Sequence, residues 1–439
     1  MNIPETKYAD ADGIQVAYQV HGEGQDTLII VPGLISHVEM IQEMPGFNSF
    51  LGSLTEFFKV IIFDKRGQGL SDRSAEVPGP EQRMDDISAI AEAENLATFN
   101  LFGISEGAAI AILYAASFPD KVQKVSVFGG FSRFSNCDDY QFMYEASEFE
   151  QTVEHWGKGS FGYAVCPDMM PEIRPLFARF ERACATPNAV RMMLETNISL
   201  DIRAVLPEIK TPVLVVHRRD DKTVPVANGR YLADNLPNAD YVEFARGGHA
   251  PWFGDYQAVA EAIIQFMQAT SLLEPEKKRE DRSLATILFT DIVGSSEQLA
   301  AIGDEKWRQI LDNHDRIAEL AVAERRGRLI KNTGDGLLAT FDGPVRAIKC
   351  AQGLLNDVQA IGVKIRCGLH IGEIEIRGAD ITGIAVHVAA RVMDLAGADQ
   401  ILITRTVADL IAGSGLATTD YGEHELKGIA GDWRLLEVR

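Results

Sequence analysis

The 439-residue sequence has no apolar run approaching the roughly 18 residues that a membrane-crossing helix needs, so no span is expected. It has no excess of basic charge: 42 Lys and Arg stand against 63 Asp and Glu, a formal net charge of −21. Such a balance argues against a broad nucleic-acid or anionic-membrane surface, yet leaves room for a nucleotide held locally through a metal ion. Cysteine is scarce and scattered. Cys137, Cys166, Cys184, Cys350 and Cys367 are odd in number and form no C-x-x-C pair, which points to reduced thiols and a cytoplasmic setting. The opening "MNIPETKYADADG" is polar and partly acidic, so no signal peptide is expected. There is no internal repeat and no low-complexity tract.

What is present is enough for more than one core. The length exceeds what a single ordinary core fills, so two domains or more are expected, and hydrophobic and charged contents of 46% and 24% are those of globular chains. The clearest break is "SLLEPEKKREDRSL", charged and carrying Pro275 between two stretches rich in apolar runs. It divides the chain into a first domain over 1–270, a linker over 271–283 and a second domain over 284–439.

In the first domain "DTLIIVPG", "FKVIIFDKRG", "ATFNLFGIS", "VQKVSVFGG" and "TPVLVVHRR" read as buried strands, with helical patterns at "MDDISAIAEAEN" and after Ser105. Alternation of this kind means a parallel α/β sheet. From 131 to 209 the pattern turns helical and rich in aromatics, including Phe131, Tyr144, Trp156, Phe161 and Tyr163. An insertion there is expected to cap the C-terminal edge of the sheet. In the second domain "SLATILFTDIV" is a strand, and "DEKWRQILDNHDRIAELAVAERRG" an amphipathic helix closed by Gly327. "GRLIKNTGDGLLATFDG" reads as two strands around a tight turn, and "VKIRCGLHIGEIEIRG" as another strand pair. A helix around "GIAVHVAARVMDLAG" and the strand "QILIT" complete an α+β domain with helices on one face of its sheet.

"FGISEGAA" places Gly103, Ser105 and Gly107 in a G-x-S-x-G between a strand and a helix, a context that throws the serine hydroxyl clear of the sheet. Taken alone it is as readily a plain Gly-rich turn. Asp221 follows in "RRDDKTVP" and His249 in "ARGGHAPW", each by itself an ordinary loop residue. The order Ser, Asp, His is that of the α/β-hydrolases, and residues from about 20 to 268, including "DKRGQGLSD", resemble that family. The resemblance implies Ser105 as nucleophile, His249 as general base and Asp221 as the group holding the imidazole tautomer. It implies an oxyanion hole from the backbone N–H groups of Leu34 and Glu106, and a small apolar or ester ligand. Glu106 departs from the uncharged residue many members carry there; its carboxylate opposes catalysis unless it points away. A scaffold retained for ligand sensing is the alternative.

In the second domain Asp291 sits where a strand ends, and Asp335 at the tip of "NTGDGL". Two aspartates without His or Cys nearby suit a hard cation such as Mg2+ or Mn2+; a helix cap at Asp291 and a simple turn at Asp335 are the alternatives. In "GADITGIAVHVAARV", His387 and Arg391 share a helix face, and Arg391 offers a fork of donors suited to phosphate.

From about Leu284 onward, "LFTDIVGS", "IKNTGDGLLATF", "GLHIGE", "DITGIAVHVAARV" and "ELKGIAGDWRLLEV" resemble the class III nucleotide cyclases, whose catalytic domain is ferredoxin-like. The resemblance implies two metal ions per site on Asp291 and Asp335 with help from the Ile292 carbonyl, and Arg391 at the transition state. Lys331 and Asp380 would read the base. Lysine only donates and ionised aspartate only accepts, a pair that fits adenine and mismatches guanine, so ATP is the expected substrate. His387 stands where the family usually has Asn to orient the ribose, so altered turnover is expected. Metal and base-reading residues come from different copies in the family, so a single cyclase domain implies a homodimer. A guanylate cyclase, or a serine hydrolase carrying a silent nucleotide-binding domain, are the alternatives.

Overall fold

A computed structural model of the chain describes residues 3–73, 77–143, 146–166, 171–269, 282–411 and 413–439, without the side chains of 146–149, 163 and 164. Most of the expected linker, Tyr144 and the Tyr163 side chain lie outside the described residues. The chain divides into two compact units, Met1–Glu274 and Pro275–Arg439.

The first unit is built on strands β1 (Lys7–Ala11), β2 (Ile14–His21), β3 (Asp26–Val31), β4 (Phe58–Phe63), β5 (Phe99–Ile104), β6 (Val122–Phe128), β7 (Val213–Arg218) and β8 (Ala239–Phe244). They form one sheet in the order β1-β2-β4-β3-β5-β6-β7-β8. The five apolar runs read from the sequence are β3 to β7, and they are parallel. The sheet is not parallel throughout, because β1 and β2 join antiparallel at one edge. These strands and the half-exposed β8 lack the continuous apolar run that announces a strand buried on both faces.

Helices cover both faces. Helices α1 (Phe47–Thr55) and α9 (Tyr256–Gln268) set Phe50, Leu54, Val259 and Ile263 against Leu28, Val60 and Phe102. Each such side chain contributes ~1.5–3 kcal/mol when fully buried. Helix α2 (Pro80–Ala93) starts on a proline, and α3 (Glu106–Ser117) is buried along nearly its whole length. Between β6 and β7 lie α4 (Ala146–Glu154), α5 (Phe161–Val165), α6 (Arg174–Cys184) and α7 (Pro187–Ile198), and α8 (Ala227–Asn235) links β7 to β8. Helix α7 begins where Thr186 accepts a hydrogen bond from the Ala189 N–H at 3.3 Å, with Pro187 in the first turn.

The second unit has β9 (Arg282–Ile292), α10 (Ser295–Ile302), α11 (Asp304–Glu324), β10 (Arg328–Asn332), β11 (Gly336–Phe341), α12 (Pro344–Asp357), β12 (Ile365–Arg377), β13 (Asp380–Thr382), α13 (Ile384–Leu395), β14 (Ile401–Thr404), α14 (Arg405–Leu410), β15 (Thr418–Glu425) and β16 (Asp432–Val438). The sheet runs β10-β11-β9-β12-β14-β16-β15, with β13 beside β12. The stretch expected as a strand pair is the single 13-residue strand β12. Gly372 makes no turn there; a Cβ on it would lie 2.8 Å from Ala385, so the glycine lets α13 sit close on the strand. Helix α11 ends at Glu324, and the left-handed residue after it is Arg326 rather than Gly327.

Helices again lie on both faces, where the sequence pattern suggested one. Ala285, Ile287 and Ile374 pack with Ala385 and Ala389 of α13. The alternate residues Leu288, Cys367 and Leu369 are equally buried, and α12, with Ala347, Ile348, Ala351 and Leu354 buried, covers that side.

Candidate active sites

The end of β5 delivers Ser105 into a tight elbow. Its backbone has φ 56° and ψ −120°, outside the regions most residues occupy, the kind of strain that clusters at functional sites. A Cβ on Gly103 would lie 2.6 Å from Ala108 Cα and one on Gly107 2.3 Å from the Val31 carbonyl oxygen. The two glycines of the motif are therefore steric requirements of the elbow.

His249 reaches the same place from the loop after β8. Its Nδ1 is 2.7 Å from Asp221 Oδ2, and the other carboxylate oxygen accepts the N–H groups of Thr223 and Val224 at 2.8 and 2.9 Å. Burial pushes the Asp221 carboxyl up, but the His249 ring, His217 and the Val224 N–H outweigh it and hold the group below its usual range. An ionised Asp221 fixes the proton on Nδ1. His249 Nε2 is left buried without a hydrogen-bond partner among the described residues, so its lone pair is unengaged. Ser105 and His249 line one cavity of about 80 Å3 with Leu34, Phe161, Phe177 and Trp252. The aromatic walls at Phe161 and Phe177 come from the helical insertion.

The Glu106 carboxylate points away from that cavity. It is 2% exposed and paired with Arg83, with Lys65 Nζ at 3.1 Å and with Asn197 Nδ2 at 2.6 Å. Burial raises the carboxyl, but Arg83 and Lys65 outweigh it and keep the group ionised and balanced. Lys65 Nζ and Gln68 Nε2 also donate to the Leu34 carbonyl at 3.1 and 2.6 Å, and Gln68 touches Met193 of α7 at 2.7 Å. Leu34, which carries one expected oxyanion donor, is thus tied through its carbonyl and Lys65 to Glu106, which carries the other, and both are tied to the cap.

Sequence reasoning missed Arg218. Its fully buried guanidinium donates to the carbonyls of Gly247, Ala250 and Phe253 at 2.7 to 2.8 Å and so shapes the loop bearing His249. An arginine closing a strand that opens on the apolar run Val213–Val216 was the available signal. Burial lowers it to about 10, which leaves it charged at neutral pH.

In the second unit Asp291, next to last in β9, is in register with Gly336 of β11, so Asp335 is its neighbour across the ladder. The Ile292 N–H donates to the Asp335 carbonyl at 3.0 Å. Asp291 caps no helix; the N-cap of α10 is Gly294 and makes no side-chain capping bond. Partial burial raises the Asp291 carboxyl, the facing Asp335 raises it further, and only Arg366 opposes them. Arg366, unrecognised from sequence, grips Asp291 Oδ2 through Nε and a terminal nitrogen at 2.9 and 2.6 Å. Two facing carboxylates make an all-oxygen donor set that fits a hard divalent cation. Among the described residues no group of three or more His, Cys, Asp or Glu forms a cation site, so further donors there would be backbone, water or phosphate oxygens.

Lys331 of β10 meets Asp380 of β13, Nζ lying 2.9 and 2.6 Å from the two carboxylate oxygens. The side chains stay 48% and 52% exposed. His387 is exposed on α13, and Arg391 one turn later pairs with Asp394 at 2.8 Å. Among the described residues no hydrogen bond or ion pair joins Asp291 or Asp335 directly to Lys331, Asp380, His387 or Arg391. The Asp291–Asp335 pair and the Lys331–Asp380 pair are therefore separate clusters in this unit.

Comparison with known proteins finds a family match in each unit. Residues 28–262 match the alpha/beta hydrolase family, and residues 277–435 the adenylate and guanylate cyclase catalytic domain. A Caulobacter segnis protein named "Putative carbamate hydrolase RutD" is 28% identical over 273 residues, 58% of this chain and 97% of its own length. A Rhizobium meliloti protein named "Putative adenylate cyclase 3" is 30% identical over 157 residues, 34% of this chain but 27% of its own length. Among solved structures an esterase from Exiguobacterium antarcticum superposes with a TM-score of 0.54 at 21% identity, over 60% of this chain and all of that one. No described helix is long and apolar enough to cross a membrane. The chain belongs to the alpha/beta hydrolase family and carries, after that domain, an adenylate and guanylate cyclase catalytic domain.

Proposed function

We propose that the chain is an adenylate cyclase, converting ATP to 3′,5′-cyclic AMP and pyrophosphate in sites shared by two copies of its C-terminal domain. The observation that carries this reading is the facing Asp291–Asp335 pair, set apart from a separate Lys331–Asp380 pair. Asp291, Asp335 and the Ile292 carbonyl would hold two Mg2+ or Mn2+ ions, which supply charge to acidify the ribose 3′-hydroxyl and to neutralise the triphosphate. Lys331 donates to an adenine ring nitrogen and Asp380 accepts from its amino group; guanine offers the opposite pattern. Arg391 offsets charge on the reacting phosphate, and His387 positions the ribose. Ile384, 64% exposed on α13, is apolar surface that a second copy would cover. The working boundaries are 1–270 for the hydrolase domain, with its cap at 131–209, and 284–439 for the cyclase domain.

The elbow at Ser105 favours a second activity, ester hydrolysis in the N-terminal domain. Ser105 attacks the carbonyl carbon, His249 takes the serine proton, Asp221 holds the imidazole, and the N–H groups of Leu34 and Glu106 receive the oxyanion. The same cavity could serve as a sensor whose ligand biases the cyclase. Incubation of purified chain with ATP or GTP and each metal tests the main reading. Cyclic AMP is expected, with a loss on the order of 10³ in Asp291→Ala and a weakened preference for ATP in Lys331→Ala. Ester turnover without any cyclic product would leave a serine hydrolase bearing a silent nucleotide-binding domain.

A further inference from the structure

A second chamber of about 70 Å3 adjoins the cavity against Ser105: the two share Gly33, Ile35, Ile41, Ile104 and Trp252 as lining, and the second is lined further by Val38, Phe47 and Ile62. Its polar wall is Ser36, His37 and Asp64, and each is already engaged. Ser36 is bonded to Gln68 at 2.8 and 3.2 Å. Asp64 accepts the N–H groups of Val38 and Leu70 at 2.9 and 2.8 Å. His37 Nδ1 accepts the Met40 N–H at 3.4 Å. No lysine or arginine lines either chamber among the described residues, so the second chamber offers no ammonium or guanidinium to compensate an anionic ligand group for lost water. The two volumes together approach the ~150 Å3 of an apolar cavity that holds benzene, which is room for a tail of about six carbons.

Resting on the reading of Ser105 as nucleophile, we propose that the second chamber receives an uncharged, unbranched apolar tail of an ester whose carbonyl sits at Ser105. The serine oxygen bonds to the carbonyl carbon, the alcohol leaves with the proton from His249, and water then releases the acid. Ester plus water gives acid plus alcohol, with no other reactant.

Each methylene moved from water into such a chamber is worth about fourfold. Two ester series separate the possible sources of the tail: p-nitrophenyl esters from acetate to octanoate vary the acyl side, and alkyl acetates from methyl to hexyl the alcohol side. In one series kcat/KM should climb on the order of 100-fold, level at about six carbons, and then fall. Val38 lines only the second chamber. Val38→Phe should cut the ratio of the six-carbon to the shortest substrate at least tenfold, and Val38→Ala should move the optimum to a longer chain. Flat profiles in both series, or a ratio unmoved in Val38→Phe protein with native circular dichroism, would overturn the proposal. Octan-2-one titrated against Trp252 fluorescence in Ser105→Ala protein separates this from the catalytic reading. Saturable binding that Val38→Phe removes supports the chamber even if no ester is hydrolysed, and absence of binding counts against it.

Discussion

The two candidate sites differ in how finished they are within one chain. At the hydrolase site the ionisable groups are buried and held by others: Asp221 by two N–H groups and His249, Glu106 by Arg83, Lys65 and Asn197, and the His249 loop by Arg218. In the cyclase domain Lys331 and Asp380 are half exposed and occupied with each other, and Arg391 with Asp394. Desolvated charges must be paired where they stand, which makes a buried site rigid before substrate arrives. Exposed pairs are worth little and exchange partners readily. The first arrangement suits a site complete in one molecule, and the second a site completed by a partner and a nucleotide.

The largest test of this contrast is the loss of each key group. Ser105→Ala should lower ester turnover on the order of 10⁴-fold while leaving cyclic AMP formation to the other domain. Equal loss of both activities would remove the independence of the two sites. Asp291→Ala and Arg391→Ala should each be inactive as cyclases, yet mixed in equal amounts they should recover about a quarter of wild-type activity, since half the dimers then hold one intact site. No recovery would place a complete site in each chain.

Smaller effects probe the buried charges. Glu106→Ala strands Arg83 and Lys65 in the interior and should destabilise the first unit by ~3–5 kcal/mol in denaturant unfolding, whereas Lys331→Ala should change the stability of the second unit by less than about 1 kcal/mol. Similar values for the two would erase the distinction. A further test is acid. Burial lowers His370 to about 4 from the usual 6.5. The unfolded chain therefore takes up the proton first, and stability falls between about pH 6.5 and 4, by up to ~3 kcal/mol. Trp433, ring to ring with His370 at 5.5 Å, should report the titration in its fluorescence, and His370→Asn should flatten the slope.

Much of this was written in the chain. Apolar runs marked β3 to β7 because strands buried on both faces must be apolar throughout. The G-x-S-x-G, the later Asp221 and His249, and the two aspartates of the second domain were legible because chemistry demands those residue types. The β1–β2 edge, the half-exposed β8 and the unbroken run of β12 through Gly372 were not, since edge strands carry weak patterns and a glycine can mark a close approach as well as a turn. Arg366 looked like any strand arginine until the register set it across from Asp291.

Sequence alone determined which residue types were available and in which order, and with them the two families. Tertiary structure decided the direction of Glu106, the guanidinium scaffold of Arg218, the second chamber beside Ser105 and the pairing of Lys331 with Asp380 apart from Asp291 and Asp335. Those depend on which distant groups meet in a low-dielectric interior, where a charge turns toward its counter-charge because leaving it unpaired costs several kcal/mol. Nothing in the linear order of residues encodes that meeting.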